Sequence, residues 1–443
     1  MSEWKKVKIG DVCGIIKGAT GIASAEPGEY PLVVTAVERK TCSSFQFDCE
    51  AVCIPLVSSS GHGKKSLNNV HYQKGKFALG TILCAVVPNN PNELDARFLH
   101  QYLQFYKDKI LVPLMKGAAN VSLSMKDIAK VEIPLPLIEK QHELSELFVE
   151  TQKKYKELLE ESEKQKSYVK QLRQNILQEA IEGKLTEEWR KENPVVKGNP
   201  DFDAEALFEK IQEEKCHTDS ELPLETSLRI RNSKKKVFEP IAENEQPFEI
   251  PEGWKWVRLG ELCNFGNCQS IEPNSLKPND WILDLEDIEK DTGRIISIRS
   301  FFENKSQSTK HIFHKGFVLY SKLRPYLNKV VIAPKNGYCT SEILPLDFGI
   351  NNNSRYMQIV LMSPYFVSYT TRLSYGMKMP RLGTNDGKNA CIPLPPLKEQ
   401  KEIVSCVEKL LANVTGLEEQ ISERETLTKQ MLLSIMKDAF REE

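Results

Sequence analysis

The longest ordered pattern in the 443-residue chain is a thin apolar seam inside a charged stretch, residues 133–181. Stepping alternately four and three residues, it reads Leu144, Phe148, Thr151, Tyr155, Leu158, Ser162, Gln165, Val169, Leu172 and Ile176. That alternation is the a/d spacing of a coiled coil, so the stretch predicts a long helix needing a partner along its length. Adding 259 to each number gives a second seam: Ile403, Val407, Leu410, Val414, Leu417, Ile421, Arg424, Thr428, Met431 and Ile435. The entry repeats too, with Ile133-Pro134-Leu135-Pro136 becoming Ile392-Pro393-Leu394-Pro395, Gln141 becoming Gln400 and Ala180 becoming Ala439. Two matched helices fed by one entry motif predict a duplicated protein. In a symmetric antiparallel register, paired seam numbers sum to 579, setting Thr151 against Thr428 and Tyr155 beside Arg424.

A module with short, strand-like runs precedes each helix. In the first, residues 30–34, 51–57 and 77–87 alternate or run apolar between Gly, Pro, Ser and Asn, the pattern of a mixed or mainly β module. Asp95 is placed to N-cap a helix beginning at Ala96. The second module opens at Pro251 and repeats the first at a shift of 250: Trp4/Trp254, Val7/Val257, Gly10/Gly260 and Cys13/Cys263 are identical. The middles diverge and the module ends realign, with Gly117 against Gly376. Gly183 should end the first long helix. Residues 191–250 are polar and acidic and read as a linker, with a short amphipathic helix near residues 203–215 and a basic knot at Lys234-Lys235-Lys236. It is expected to be the least ordered part of the chain.

Overall net charge is −1, but its distribution changes the picture. Residues 1–133 carry 16 Lys and Arg against 12 Asp and Glu, and residues 251–391 carry 18 against 13, whereas helices and linker are net acidic. Two basic modules joined by acidic parts suit contact with a polyanion. Eleven scattered cysteines, an odd number, fit reduced thiols in a cytosol. The apolar runs are too short for a membrane span, and the N-terminus lacks the apolar core of a signal peptide. No phosphate-binding loop, nucleophile elbow or adenine-methylation motif occurs, and Cys42, Cys49, Cys53 and His62 lack the paired spacing of a zinc site.

Three motifs together carry a family likeness. They are the exit motifs, fullest at Ile392-Pro393-Leu394-Pro395-Pro396-Leu397-Lys398-Glu399-Gln400; the segment Gly316-Phe317-Val318-Leu319-Tyr320-Ser321-Lys322-Leu323-Arg324-Pro325-Tyr326-Leu327-Asn328-Lys329; and Leu172-Arg173-Gln174-Asn175-Ile176-Leu177-Gln178 followed by Gly183-Lys184-Leu185-Thr186. Over nearly its whole length the chain resembles the specificity subunit of type I restriction–modification systems. The likeness implies an α+β fold: two globular, β-rich target-recognition domains separated by a long antiparallel two-helix coiled coil, with an internal pseudo-two-fold repeat. The expected boundaries are residues 1–136 and 251–395 for the recognition domains, 137–182 and 396–443 for the helices, and 183–250 for the linker. It further implies a cytoplasmic, non-catalytic subunit whose domains each read one half of a bipartite double-stranded DNA target. The partners would be two DNA adenine methyltransferase subunits and motor-nuclease restriction subunits. S-adenosylmethionine and Mg/ATP would belong to those partners, leaving this chain with no cofactor of its own and no membrane contact. The first exit motif departs from the pattern, with Leu137 for the second proline and Lys140 for the glutamate, and the first module shows no clear R-P-Y-L segment.

Candidate DNA contacts follow from residue chemistry. Lys322, Arg324, Tyr326 and Lys329 set cations around an aromatic, able to grip phosphates or a guanine edge. Lys116, Asn120 and Ser122 in one pre-exit loop, and Lys378 and Arg381 in the other, flank glycines that let backbone approach a groove closely. Lys64 and Lys65 end a small-residue loop that begins at Ser58. Each set reads equally as ordinary surface loop. A helix of about 40 residues spans roughly 60 Å, close to two turns of B-DNA at about 34–36 Å each, so the helices could act as a spacer. The rival reading is a duplicated coiled-coil adaptor that binds only proteins. The half-site bases are not legible, because divergent loops carry no residue-to-base code.

Overall fold

The computed structural model describes residues 4–60, 63–220, 238–304 and 308–440. The chain divides into two compact units: Met1–Lys164 with Ile421–Glu443, and Gln165–Gln420. The long helices, Ile138–Ile181 and Leu397–Ala439, contribute to both.

In the first unit, β1 (Lys5–Lys8) pairs antiparallel with β8 (Glu132–Leu135), joining the module's entry to its exit. Between them lie β2 (Cys13–Lys17), β3 (Tyr30–Val33), β4 (Lys40–Cys42), β5 (Phe47–Pro55), β6 (His71–Leu79) and β7 (Leu83–Pro88), ordered β2-β7-β5-β6-β3-β4 in one sheet. The β-branched and small residues of β5 and β7 bury Val52, Ile54, Cys84 and Val86 against Phe98, Leu99 and Leu103 of the helix Ala96–Ile110. Asp95 caps that helix, its carboxylate accepting from Phe98 N at 2.8 Å. Phe440, just past the second long helix, sits among Phe98, Tyr102, Phe105 and Tyr106 at centroid distances of 5.6–6.1 Å.

The second unit reuses this plan. Its entry strand β9 (Lys255–Arg258) will pair with the exit strand, and β10 (Ser270–Ile271), β11 (Trp281–Leu283), β12 (Arg299–Ser300) and β13 (Lys310–Phe313) follow in the chain. Next come β14 (Val318–Ser321), β15 (Val330–Ile332), β16 (Gly337–Thr340), β17 (Ile343–Leu346) and the exit strand β18 (Cys391–Leu394). β18 pairs with β9 as β8 does with β1. The register is shared as well: Val52 faces Val86 across β5–β7, and Val318 faces Leu346 across β14–β17. The long β5/β6 hairpin of the first unit is here two shorter pairings, β13–β16 and β14–β15. Divergent middles thus hang on one pairing frame.

The exit glutamines explain part of the sequence repeat. Gln141 accepts from Asp95 N and donates to the carbonyls of Glu93 and Pro136, each at 2.8 Å. Gln400 accepts from Asn353 N at 2.9 Å and donates to Pro395 O at 3.0 Å. Asp95 and Asn353 both cap helices, so one buried amide in each unit ties the exit turn to a helix start. A buried amide must find such partners, since an unmade bond there costs about 1–3 kcal/mol.

The long helices run antiparallel within each unit, but not in the expected register. Arg424 Nη2 donates to Ser162 Oγ at 3.4 Å, seven residues beyond Tyr155, and Thr428 bonds its own helix at Arg424 O. In the second unit Arg173 pairs with Glu418 at 3.1 Å. The strict heptad also fails at Leu158 and Leu172, which are 45% and 43% exposed, while Leu159 and Arg173 take the inward places. A straight helix drifts about 20° per heptad, whereas an 11-residue step keeps one face. Thr151, Ser162 and Arg173 follow that step, as do Ile403, Val414, Glu425 and Met436.

Most of the described linker is packed, contrary to its polar composition. Gly183 ends the first long helix at φ +74°, and Ala204 N donates to Gly253 O at 3.0 Å. Trp189 stacks on Phe202, and the helix Ala204–Ser220 buries Ala204, Leu207 and Ile211. Glu399, 2% exposed, accepts from Thr186 Oγ1, Arg190 Nη1 and Trp254 Nε1 at 2.6–2.7 Å, clasping linker and entry strand to the exit motif. The basic knot at Lys234-Lys235-Lys236 lies outside the described residues.

Candidate nucleic-acid interface

Each unit brings two of the sequence-predicted loops side by side. In the first, the chain leaving β5 meets the pre-exit loop: Leu123 N donates to Leu56 O and Ser58 N to Val121 O, both at 2.9 Å. The pre-exit loop is closed by reciprocal backbone bonds between Lys116 and Ser122 at 2.8 Å. In the second, the chain leaving β14 meets the equivalent loop: Leu382 N donates to Lys322 O at 2.9 Å and Arg324 N to Pro380 O at 2.7 Å. Reciprocal bonds between Tyr375 and Arg381, at 3.1 and 2.9 Å, close that loop. Gly117 and Gly376 open the two tips at φ +123° and +103°, where a side chain would be strained. The first module therefore does have a positional counterpart of the R-P-Y-L turn, which is the serine-rich loop that starts at Ser58.

The candidate side chains differ in what already holds them. Lys64, Lys65, Asn120, Ser122 and Lys378 are exposed on the loops. Lys116 is exposed but paired with Asp127 at 3.1 Å. That bond, with one from Ser124, holds the Asp127 carboxyl below its usual range. Lys322 is half-buried, and its backbone N–H donates to Glu342 O at 3.0 Å. Arg381 makes a forked ion pair with Glu342 at 3.1 Å, which keeps its guanidinium more basic than usual. Lys329 donates to Leu285 O at 2.6 Å, and burial pulls its ammonium pKa down.

The turn carrying Arg324 is held in an uncommon conformation. Arg324 and Asn328 sit at φ +50° and +49° on either side of the 3₁₀ turn Pro325–Leu327, which leaves Tyr326 exposed. Non-glycine residues in this region cost of order 1–3 kcal/mol each and persist only when surroundings fix them. Asn328 is fixed by the hydrogen bond its side-chain Nδ2 donates to Met362 O at 3.0 Å, and Arg324 by its N–H to Pro380 O and a 3.4 Å contact of Nη2 with Lys378 O.

Sequence reasoning missed Glu342, which sits just before β17 and braces the turn with its backbone and side chain. Nothing in its own stretch marks it. It also missed Met377 and Met379 at the second tip, although two methionines in a glycine-opened loop are an unusual surface composition. A third group is Arg39, which donates to Gln73 Oε1, His71 Nδ1 and Tyr72 O beside β6. Among the described residues, no cluster of three or more His, Cys, Asp or Glu is arranged to hold a metal ion, and the cysteines are free thiols. Nor is any described helix long and apolar enough to cross a membrane.

The chain is a mixed α+β protein in which each unit sets two basic loops side by side. Residues 1–170 and 251–424 match the type I restriction modification DNA specificity domain, and the chain belongs to that family, whose role is DNA target recognition in restriction–modification. It is 26% identical over 449 residues to the type I restriction enzyme EcoDI specificity subunit of Escherichia coli, covering all of this chain and 88% of that one. It is 37% identical over 122 residues to the EcoBI specificity subunit of the same species, covering 27% of this chain and 25% of that one. The fold is similar to the HsdS subunit from Thermoanaerobacter tengcongensis, with a TM-score of 0.54 at 16% identity over 100% and 97% of the two chains. It is also similar to a chain from a study of assembly and conformational transition of the type I R-M system, with a TM-score of 0.59 at 18% identity over 100% and 98%.

Proposed function

We propose that this chain is the non-catalytic specificity subunit of a type I complex, with residues 1–136 and 251–395 each reading one half of an interrupted duplex target. The observation that carries the reading is the doubled loop pair. The same two segments, taken from the same strand ends, meet in both units and offer Lys64, Lys65, Lys116, Asn120 and Ser122 in one, and Lys322, Arg324, Tyr326 and Lys378 in the other. Arg381 and Lys329, already engaged with Glu342 and Leu285 O, brace the second turn. Residues 137–182 and 396–443 form a coiled-coil spacer relating the domains by a pseudo-two-fold repeat. Their outward apolar residues, including Leu158, Leu172, Leu417 and Met431, suit docking of two adenine methyltransferase subunits, with motor-nuclease subunits joining for restriction. Methyl donor, Mg and ATP belong to those partners, and the complex works in the cytoplasm.

A salt titration of duplex binding by the chain with its methyltransferase tests the reading. Affinity should fall steeply with salt through counterion release. Lys322→Ala and Lys64→Ala/Lys65→Ala should each weaken binding and lower the slope by about one per lost phosphate contact. A shallow slope, unchanged in these variants, would favour the protein-only adaptor.

A further inference from the structure

The two loop pairs share a frame and differ at the tip. In the first unit the tip is Ala118, Ala119 and Asn120. In the second it is Met377, Lys378 and Met379, with Met377 fully exposed and Met379 half exposed. Tyr375 at the loop's base is exposed as well. An unbranched apolar side chain presented to water at the end of a loop ordinarily folds back onto the protein. Here the loop is held from doing so. Reciprocal bonds between Tyr375 and Arg381 close it, Arg324 N holds Pro380 O at 2.7 Å, and the forked Arg381–Glu342 pair anchors its far side. A Cβ at Gly376 would lie 3.2 Å from Met379 O, so the turn is tight as well as left-handed. A cation lies between the two methionines, and Lys322 and Arg324 stand on the adjoining turn.

We propose that Met377 and Met379 form a wedge that enters a base step of the duplex and partly unstacks it, making the second half-site the deforming one. This rests on the DNA-reading assignment above. Flexible apolar side chains, methionine among them, are the kind that proteins insert between base pairs to kink a duplex, and the cost of unstacking depends on the step. Rigid presentation, apolar ends and neighbouring cations for the flanking phosphates are the three requirements, and this tip meets all three. The alanine tip of the first unit is too short to do the same. Part of the specificity of the second unit would then come from how readily a step opens rather than from base-edge bonds.

The test uses the chain with its methyltransferase, on the duplex that methylome sequencing defines. 2-Aminopurine is placed at successive steps of the half-site read by the second unit, away from the methylated adenine. The wild type should raise fluorescence at one step. Met377→Ala/Met379→Ala should abolish the rise, lower affinity roughly tenfold and leave the salt slope unchanged, because no phosphate contact is lost. Met377→Leu should retain the rise. Both methionines lie outside the cores, so folding is not at issue. An undiminished rise in the double alanine variant overturns the wedge, as does loss of methyltransferase binding without any change at the DNA. If Lys322→Ala and Lys378→Ala also leave the salt slope untouched, it is the DNA-reading assignment itself that has failed.

Discussion

Single residues carry the joints of this molecule. Glu399 is the clearest, a buried carboxylate holding Thr186, Arg190 and Trp254 together. Removing one member of a buried charged pair leaves the other uncompensated and costs about 3–5 kcal/mol. Because Arg190 keeps some solvent, Glu399→Ala should lose about 2–4 kcal/mol of stability in denaturant unfolding, and Glu399→Gln less. The first unit has Lys140 at this place, exposed and paired with Glu143, so Lys140→Ala should cost under about 0.5 kcal/mol. His71 sets a pH dependence for the first unit. Burial, then the neighbouring Arg39, pulls its imidazole down to about 4 from an ordinary 6.5. Between those values the unfolded chain binds a proton that the folded chain does not, so stability falls as pH drops from 6.5 towards 4 and is flat above. His71→Leu should flatten that limb in thermal melts recorded across this range. The exit glutamines were legible as a repeat, but their reason was not. Only the folded chain brings Gln141 within 2.8 Å of Asp95, 46 positions earlier.

At the scale of elements, the seams announced two long helices and their matched lengths, while their antiparallel sense came only from the family likeness. In the first seam the inward face was misjudged at Leu158 and Leu172, after a drift of about 20° per heptad. Leu158 and Leu172 read as seam because leucine at a heptad position is a strong signal. The inward place there falls one residue later, and Arg173, which the seam passed over, is inside. This separates two substitutions that a heptad would treat alike. Ile176→Ala, at a site 5% exposed, should cost about 2–4 kcal/mol, whereas Leu172→Ala should cost under about 1 kcal/mol in urea unfolding. Equal losses would restore the heptad. The linker was partly legible: the helix Ala204–Ser220 falls where an amphipathic helix was expected, whereas the stacking of Trp189 on Phe202 was not visible, because those anchors are spaced too widely to weigh in a local average. The strand frame was partly visible in alternating runs. The pairing of the Arg324 turn with the pre-exit loop was not, because it joins segments more than fifty residues apart through backbone bonds that no side-chain pattern records.

The whole molecule divides its labour among a pairing frame common to both units, unlike tips, and helices that contribute to both units. Loop residues proposed for contact stand on backbone held by bonds from two directions, so tip sequences can change without disturbing the sheets beneath. This fits a chain whose halves keep register at Val52/Val86 and Val318/Leu346 while their loops diverge. Specificity should therefore be transferable loop by loop. Replacing residues 58–65 and 117–120 should alter one half of the target and leave the other intact. Methylome sequencing tests this most directly, in cells carrying the methyltransferase with the wild-type chain, without the chain, and with the altered first-unit loops. The expected result is a two-part adenine-methylation motif with a fixed gap, absent without the chain and changed in one half only by the loop replacement. An unchanged methylome when the chain is removed would contradict it.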